Sequence, residues 1–126
     1  MNSLKGKRVF VIGNGGSYAN ASHIANDLLS KGIAAFTLDA AFLTATANDF
    51  GYEFIYERWL KVVAREGDVL IALSGSGTSP NILTAIRWAE ENGLEIVKRF
   101  GAEMGQDMQR AEEHQIEWGH EIWRMA

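Results

Sequence analysis

Apolar and polar positions along the chain change period repeatedly, from runs that suit strands to spacings that suit helices. Arg8-Val-Phe-Val-Ile12 is a β-branched apolar run closed by Gly13, which predicts a buried strand. Ser17 is a candidate cap for the helix that follows, whose apolar positions are Ala21, Ile24, Ala25, Leu28 and Leu29 and which Lys31-Gly32 closes. Ile33 to Leu38 reads as a second strand, and Phe42 to Ala47 as a short helix broken near Asn48-Asp49. The spacing is helical again from Tyr52 to Arg65, and Glu66-Gly67-Asp68 makes a turn. Val69 to Leu73 is a third apolar run, entering Ser74-Gly-Ser-Gly-Thr-Ser79, where Ser79 suits an N-cap and Pro80 a first helical position. That helix runs to Asn92-Gly93, a weaker strand covers Leu94 to Val97, and a last helix follows Gly105 to the C-terminus.

Strands alternating with helices of this length predict an α/β fold, a parallel sheet covered by helices on both faces. Ligands of such sheets sit at the carboxyl ends of the strands. That rule singles out Gly13 to Ser17 and Ser74 to Ser79, both rich in Gly and Ser and both opening a helix. The 126 residues, 47% apolar and 22% charged, suit a single domain over 1–126 with no repeat, linker or low-complexity tract. A net charge of −4 argues against a nucleic-acid partner. No apolar run has the length of a membrane span and the N-terminus lacks a signal-peptide core, so a cytoplasmic protein is expected. With no cysteine, disulfides and thiolate chemistry are excluded.

In Ser74-Gly75-Ser76-Gly77-Thr78-Ser79, glycines let backbone N–H groups approach an anion, serines add donors, and the following helix favours negative charge. No lysine is present, so this is not the nucleotide-binding P-loop. Gly13-Asn14-Gly15-Gly16-Ser17 resembles half of a dinucleotide fingerprint, but the third glycine falls at Tyr18, so no nucleotide cofactor is expected. His23 and Asp27, four apart, are neighbours on the face opposite the apolar stripe of their helix. On the last helix Glu112, Ile116, His120 and Trp123 share one face; Ala111, Gln115, Trp118, Ile122 and Met125 share another. Such a helix is expected to be buried on more than one side.

Gly13-Asn-Gly-Gly-Ser17, His23-Ile-Ala-Asn-Asp27-Leu28, Asn48-Asp-Phe-Gly-Tyr52, Glu66-Gly-Asp-Val-Leu70, Ser74-Gly-Ser-Gly-Thr-Ser-Pro-Asn81 and Arg110 through His120 together resemble the phosphoheptose isomerases of the SIS-domain type. The resemblance runs through residues 7–97 and resumes in the last helix. The family's N-terminal helices, and its extra strand and helix between Val97 and Gln109, have no counterpart.

The resemblance implies a flavodoxin-like three-layer sheet. It also implies interconversion of the ketose and aldose forms of a sugar phosphate, sedoheptulose 7-phosphate to a glycero-manno-heptose 7-phosphate. By matching position, Ser74, Gly75, Ser76 and Ser79 would hold phosphate, while Asn14, Gly15, Gly16, Ser17, Asn48, Asp49 and Glu112 would line the substrate site. His23, Asp27, Glu112 and His120 match the ligands of a divalent metal, zinc first, and Asp27 and His120 the acid/base pair. Asp27 stands where the family has Glu, and Glu112 where it has Gln, which puts a second carboxylate beside the metal.

Glu112 and His120 are eight residues apart, roughly 12 Å along a helix, so one metal joins them only if both lean inward or if subunits share the site. A homo-oligomer, dimer or tetramer, is expected, because Trp118 and Trp123 point to two faces and one sheet covers one. The alternative is a non-catalytic SIS module that binds sugar phosphates or a protein partner, as in the family that associates with the replication initiator.

Overall fold

The protein is described from a computed structural model, which covers residues 4–101 and 107–125. Arg8 and the four consecutive apolar positions after it make β1 (Arg8–Ile12), and an entirely buried run makes β3 (Val69–Ser74). Between and after them lie α1 (Gly16–Ser30), β2 (Ala34–Phe36), α2 (Ala40–Phe50), a 3₁₀ turn (Tyr52–Phe54), α3 (Ile55–Val63), α4 (Pro80–Glu91), β4 (Glu95–Phe100) and α5 (Met108–Met125). The four strands are parallel in the order β2-β1-β3-β4. This is the flavodoxin-like order, and the chain reverses direction across the sheet between β1 and β3, where a crevice opens at their carboxyl ends.

Because side chains alternate along a strand, the sheet has two different faces. Val9, Val11, Val69, Ile71 and Leu73 pack under α1 and α5, together with Ile24, Leu28, Trp118 and Ile122. Phe10, Ile12, Leu70 and Ala72 pack against Tyr56 and Leu60 of α3 and Ile82, Ala85 and Ile86 of α4. No helix among the described residues is long and apolar enough to cross a membrane.

Several boundaries differ from the sequence expectation; the second strand, expected from Ile33 to Leu38, is shorter because it pairs with β1 only over Ala34–Phe36. Gly15, at φ 57, takes the cap position of α1, so Ser17 lies inside the first turn and is buried rather than capping. The second helix does not break at Asn48-Asp49; Asp39 caps it through Ala41 N–H (3.0 Å), and it runs on until Gly51 (φ 106) ends it. Tyr52 to Arg65 divides into the 3₁₀ turn and α3, which stops at Val63. β4 extends to Phe100 because it pairs with β3 as far as Ser74. The expected start of the last helix after Gly105 lies outside the described residues.

Candidate functional site

Two groups of polar side chains are assembled at different depths of the fold. The first lies at the crevice between β1 and β3. Ser74 ends β3 buried, and its Oγ accepts the Gly77 N–H (3.0 Å); Gly77 at φ 72 turns the chain back. Ser76 Oγ accepts the Thr78 N–H (3.2 Å) and lies 3.5 Å from both Ser74 Oγ and Ser79 Oγ. Ser79 is the N-cap of α4 and Pro80 its first turn, as the sequence suggested, but the Ser79 side chain makes no capping bond. Three hydroxyls and a helix N-terminus thus face one small cavity of about 40 Å³, lined by Asn14, Ser17, Ser74, Ser76, Ser79 and Met108. Met108 lies so close over Gly75 that a Cβ there would collide with its thioether.

Across the crevice the side-chain amides of Asn14 and Asn81 bond each other reciprocally, both at 2.8 Å, and the Tyr52 hydroxyl donates to Asn14 Oδ1 (3.0 Å). Tyr56 supports the same loop from below: its phenol donates to the Gly13 carbonyl and accepts the Gly13 N–H at 3.4 Å. Burial pushes this phenol above the ordinary tyrosine range, although the bond to Gly13 pulls the other way.

The second group is built by α1 and α5, which run side by side in the same direction. Gly119 makes this possible, because a Cβ there would strike the buried Ile24. A buried polar chain sets the register: Gln115 Nε2 donates to Ser17 Oγ (3.0 Å), and Asn20 Nδ2 donates to Gln115 Oε1 (2.9 Å) and to the Glu112 carbonyl (2.8 Å). One turn further, His23 Nε2 lies 3.2 Å from Asp27 Oδ2 and 3.3 Å from His120 Nε2, and His120 Nε2 lies 4.0 Å from the same Asp27 oxygen. His23 is the most open of the three, at 50% side-chain exposure, against 23% for Asp27. A site so exposed is reachable by a small substrate.

Tetrahedral zinc with bonds of 2.0–2.2 Å holds its ligand atoms about 3.4 Å apart. The three donor atoms fall within 4.8 Å of one another, so two imidazoles and a carboxylate fit such a cation with small adjustments. Three such ligands would leave a fourth position open, as in catalytic rather than structural sites.

Glu112 is not in this group. Its carboxylate covers Gly16, where a Cβ would collide with it, about 12 Å along α5 from His120. Asn48 and Asp49 also stand apart, exposed on α2 and bonded to each other (3.1 Å). The cavity at Ser74–Ser79 includes none of His23, Asp27 and His120, and ten residues of α1, roughly 15 Å, separate Ser17 from Asp27. His23 and Asp27 meet the last helix of their own chain, so no second subunit is needed for that contact.

The expectation that both indoles of α5 need a second copy is corrected for Trp118. It is 8% exposed, covered by the sheet and by the Arg99 guanidinium 4.5 Å from its ring centre. Trp123 is 37% exposed, donates to Ser30 Oγ (3.2 Å) and carries Lys31 over its ring.

Three participants were not singled out from sequence. Asn81 is a polar residue fully buried beside the apolar Ile82, a signal that was present and unread. Tyr52 and Gln115 carried no local signal, since their partners are 38 and 98 residues away.

The sequence matches the SIS domain family over residues 2–98. It is 42% identical over 116 residues to a phosphoheptose isomerase of Leptospira biflexa, covering 83% of this chain and 60% of that protein. It is 43% identical over 110 residues to the phosphoheptose isomerase of Burkholderia pseudomallei, covering 81% and 56%. The chain therefore spans less than two thirds of the length of these curated relatives. Among solved structures, a phosphoheptose isomerase from Neisseria gonorrhoeae superposes with a TM-score of 0.89 at 25% identity, covering 98% of this chain and 77% of that one. One from Francisella tularensis gives 0.84 at 25% identity, covering 94% and 74%.

Proposed function

The chain belongs to the SIS-domain family, and from that premise we propose that it is a ketose–aldose isomerase of sugar phosphates, with sedoheptulose 7-phosphate as substrate. The observation that carries the reading is the convergence of His23, Asp27 and His120 on one point, in a chain that also has an anion-sized cavity at Ser74–Ser79. A module that only bound sugar phosphates would have use for the loop cavity and none for the cluster of His23, Asp27 and His120. The names of the relatives support the same reaction class.

In this reading the loop hydroxyls and the first N–H groups of α4 hold the phosphate. Asp27 removes the proton from the carbon beside the carbonyl, and His120 carries protons between the two oxygens. The trio His23, Asp27 and His120 would hold a zinc ion, which would supply polarisation of the carbonyl. Glu112, Gly15, Gly16, Asn48 and Asp49 would complete the substrate surface, with Asn14 and Ser17 lining the loop cavity. The separation along α1 favours a homo-oligomer in which a second copy shortens the path from phosphate to base. Exposed Phe50, Tyr52 and Phe54 supply an apolar surface for it.

The test is an isomerase assay on sedoheptulose 7-phosphate with metal analysis of the same preparation. Turnover with about one zinc per chain is expected. Tight binding of the sugar phosphate without turnover, at full zinc occupancy, would establish the binding module instead.

A further inference from the structure

We propose that β4 is a self-pairing edge, through which two copies of this chain join their sheets by antiparallel β4–β4 pairing about a two-fold axis at Val97. Among the described residues no strand pairs with the outer side of β4, which ends the β2-β1-β3-β4 sheet. An open edge of six residues presents unpaired N–H and C=O groups and is a template for another strand. Which groups face outward follows from the bonds that face inward. Glu95 N–H donates to Asp68 and Gly101 N–H to Ser74, so the odd-numbered residues turn their amides toward β3. Ile96, Lys98 and Phe100 therefore present their amides to the open side.

Parity restricts the possible registers, because opposed residues in an antiparallel pair both face the ladder or both face away from it. Centring the pair on Lys98 opposes two ammonium groups, which is destabilising. A pair centred on Ile96 places Arg99 opposite Gly93, with no partner for its charge. With Val97 at the axis, Ile96 and Lys98 form the hydrogen-bonded pairs, and Glu95 opposes Arg99 of the second copy, twice by symmetry. Those charge pairs fall at non-hydrogen-bonded positions, where side chains approach most closely. The strand Glu95-Ile-Val-Lys-Arg99 is thus complementary to itself in one register only.

Arg99 is the cation of this pairing, its guanidinium held 4.5 Å over the Trp118 ring. Its Nε is buried with no hydrogen-bond partner, the one such side-chain atom among the described residues. It borders a cavity of about 170 Å³ lined also by His114, Gln115, Glu117, Trp118 and Glu121. Of the cavity's own carboxylates Glu121 acts on the Arg99 charge through space, and neither bonds Nε. Glu95 uses Oε2 for Lys7 at 3.4 Å, which leaves Oε1 for the guanidinium of the second copy. A two-fold contact of this kind is closed, so it gives a discrete assembly and not a filament.

Light scattering of the full chain, with circular dichroism to verify folding, tests the pairing. The wild type is expected at a multiple of 13.9 kDa. Arg99→Glu and Glu95→Arg should each weaken association by about tenfold or more, because each replaces two opposite-charge pairs with like-charge pairs. Each should halve the mass at concentrations where the wild type is assembled. The double exchange Glu95→Arg/Arg99→Glu should restore it. Lys98→Pro, which removes an outward amide and no bond to β3, should also halve the mass. A monomeric wild type, single variants that keep the wild-type mass, or a folded double variant that stays at half mass would each overturn the proposal.

Discussion

The crevice between β1 and β3 and the α1/α5 helix pair are built by opposite means. In the crevice, Ser74, Ser76 and Ser79 lie within six consecutive residues, held by bonds two or three positions apart. In the helix pair, His23 and Asp27 meet His120 across almost the whole chain, and no short motif brings them together. Their alignment depends on Gly119 against Ile24 and on the Ser17–Gln115–Asn20 chain one turn earlier. A binding loop can form wherever its own few residues fold. A cluster split between distant helices exists only if the packing between them is correct, so the two regions should fail separately when mutated.

The largest separation is expected from Asp27→Asn. The amide keeps the shape and the contact surface but cannot accept a carbon-bound proton, so isomerisation should fall by about 10² to 10⁴. Phosphate affinity should be unchanged, because the loop cavity does not include Asp27. Turnover assays paired with titration of inorganic phosphate check both halves. Unaltered turnover would transfer the role of base to His120 or Glu112.

Gly119→Val attacks the packing instead of the chemistry. Ile24 is fully buried and cannot yield, so the new side chain should force α5 away from α1 at a cost of about 1–3 kcal/mol. Zinc affinity should drop about 10- to 100-fold as His120 leaves its neighbours, while phosphate titrates as before. Denaturation and isothermal titration calorimetry report the two effects. An unaffected zinc isotherm would mean that α5 does not position the ligand.

Ser76→Ala/Ser79→Ala is the converse. Water competes for both hydroxyls, so each is worth about 0.5–1 kcal/mol net, and phosphate should bind about tenfold more weakly without the pair. Zinc binding and melting temperature should stay at the wild-type values. A variant that lost its fold would show these serines to be structural and not ligand-facing.

The same contrast explains what could be read from the sequence. Strand–turn–helix segments carry their own periodicity and their own glycines, so β1, β3, α4 and the loop before it were legible. The parallel sheet followed from the alternation of strands and helices, and its flavodoxin-like arrangement from the family resemblance. The failures came mostly where a distant residue decides, and once where a polar pair satisfies itself within the helix. Ser17 looks like a cap, but Gly15 holds that position and Gln115, 98 residues on, claims the hydroxyl. Asn48-Asp49 looks like a helix break, but the pair is exposed and satisfies itself, so α2 continues to Gly51. Glu112 shares a face with His120 on paper, yet two turns of helix leave it over Gly16.

Tyr56 gives the smallest effect and sharpens the comparison, because it supports one region and touches nothing in the other. Its phenol spans the buried Gly13 amide and carbonyl at the foot of the crevice. Tyr56→Phe leaves both groups without that partner and should cost about 1 kcal/mol. The pH dependence identifies the phenol as the cause. Burial raises the folded-state value above the ordinary 10.0, so the folded chain holds the proton that the unfolded chain releases. The resulting stability is fully present below about pH 10 and is lost as pH rises above it, by at most about 1.4 kcal/mol per pH unit. The wild type should therefore lose stability between pH 10 and 11 more steeply than Tyr56→Phe, with phosphate affinity slightly reduced and zinc affinity equal in the two proteins. Parallel alkaline slopes in urea denaturation would show that Tyr56 is not the titrating group.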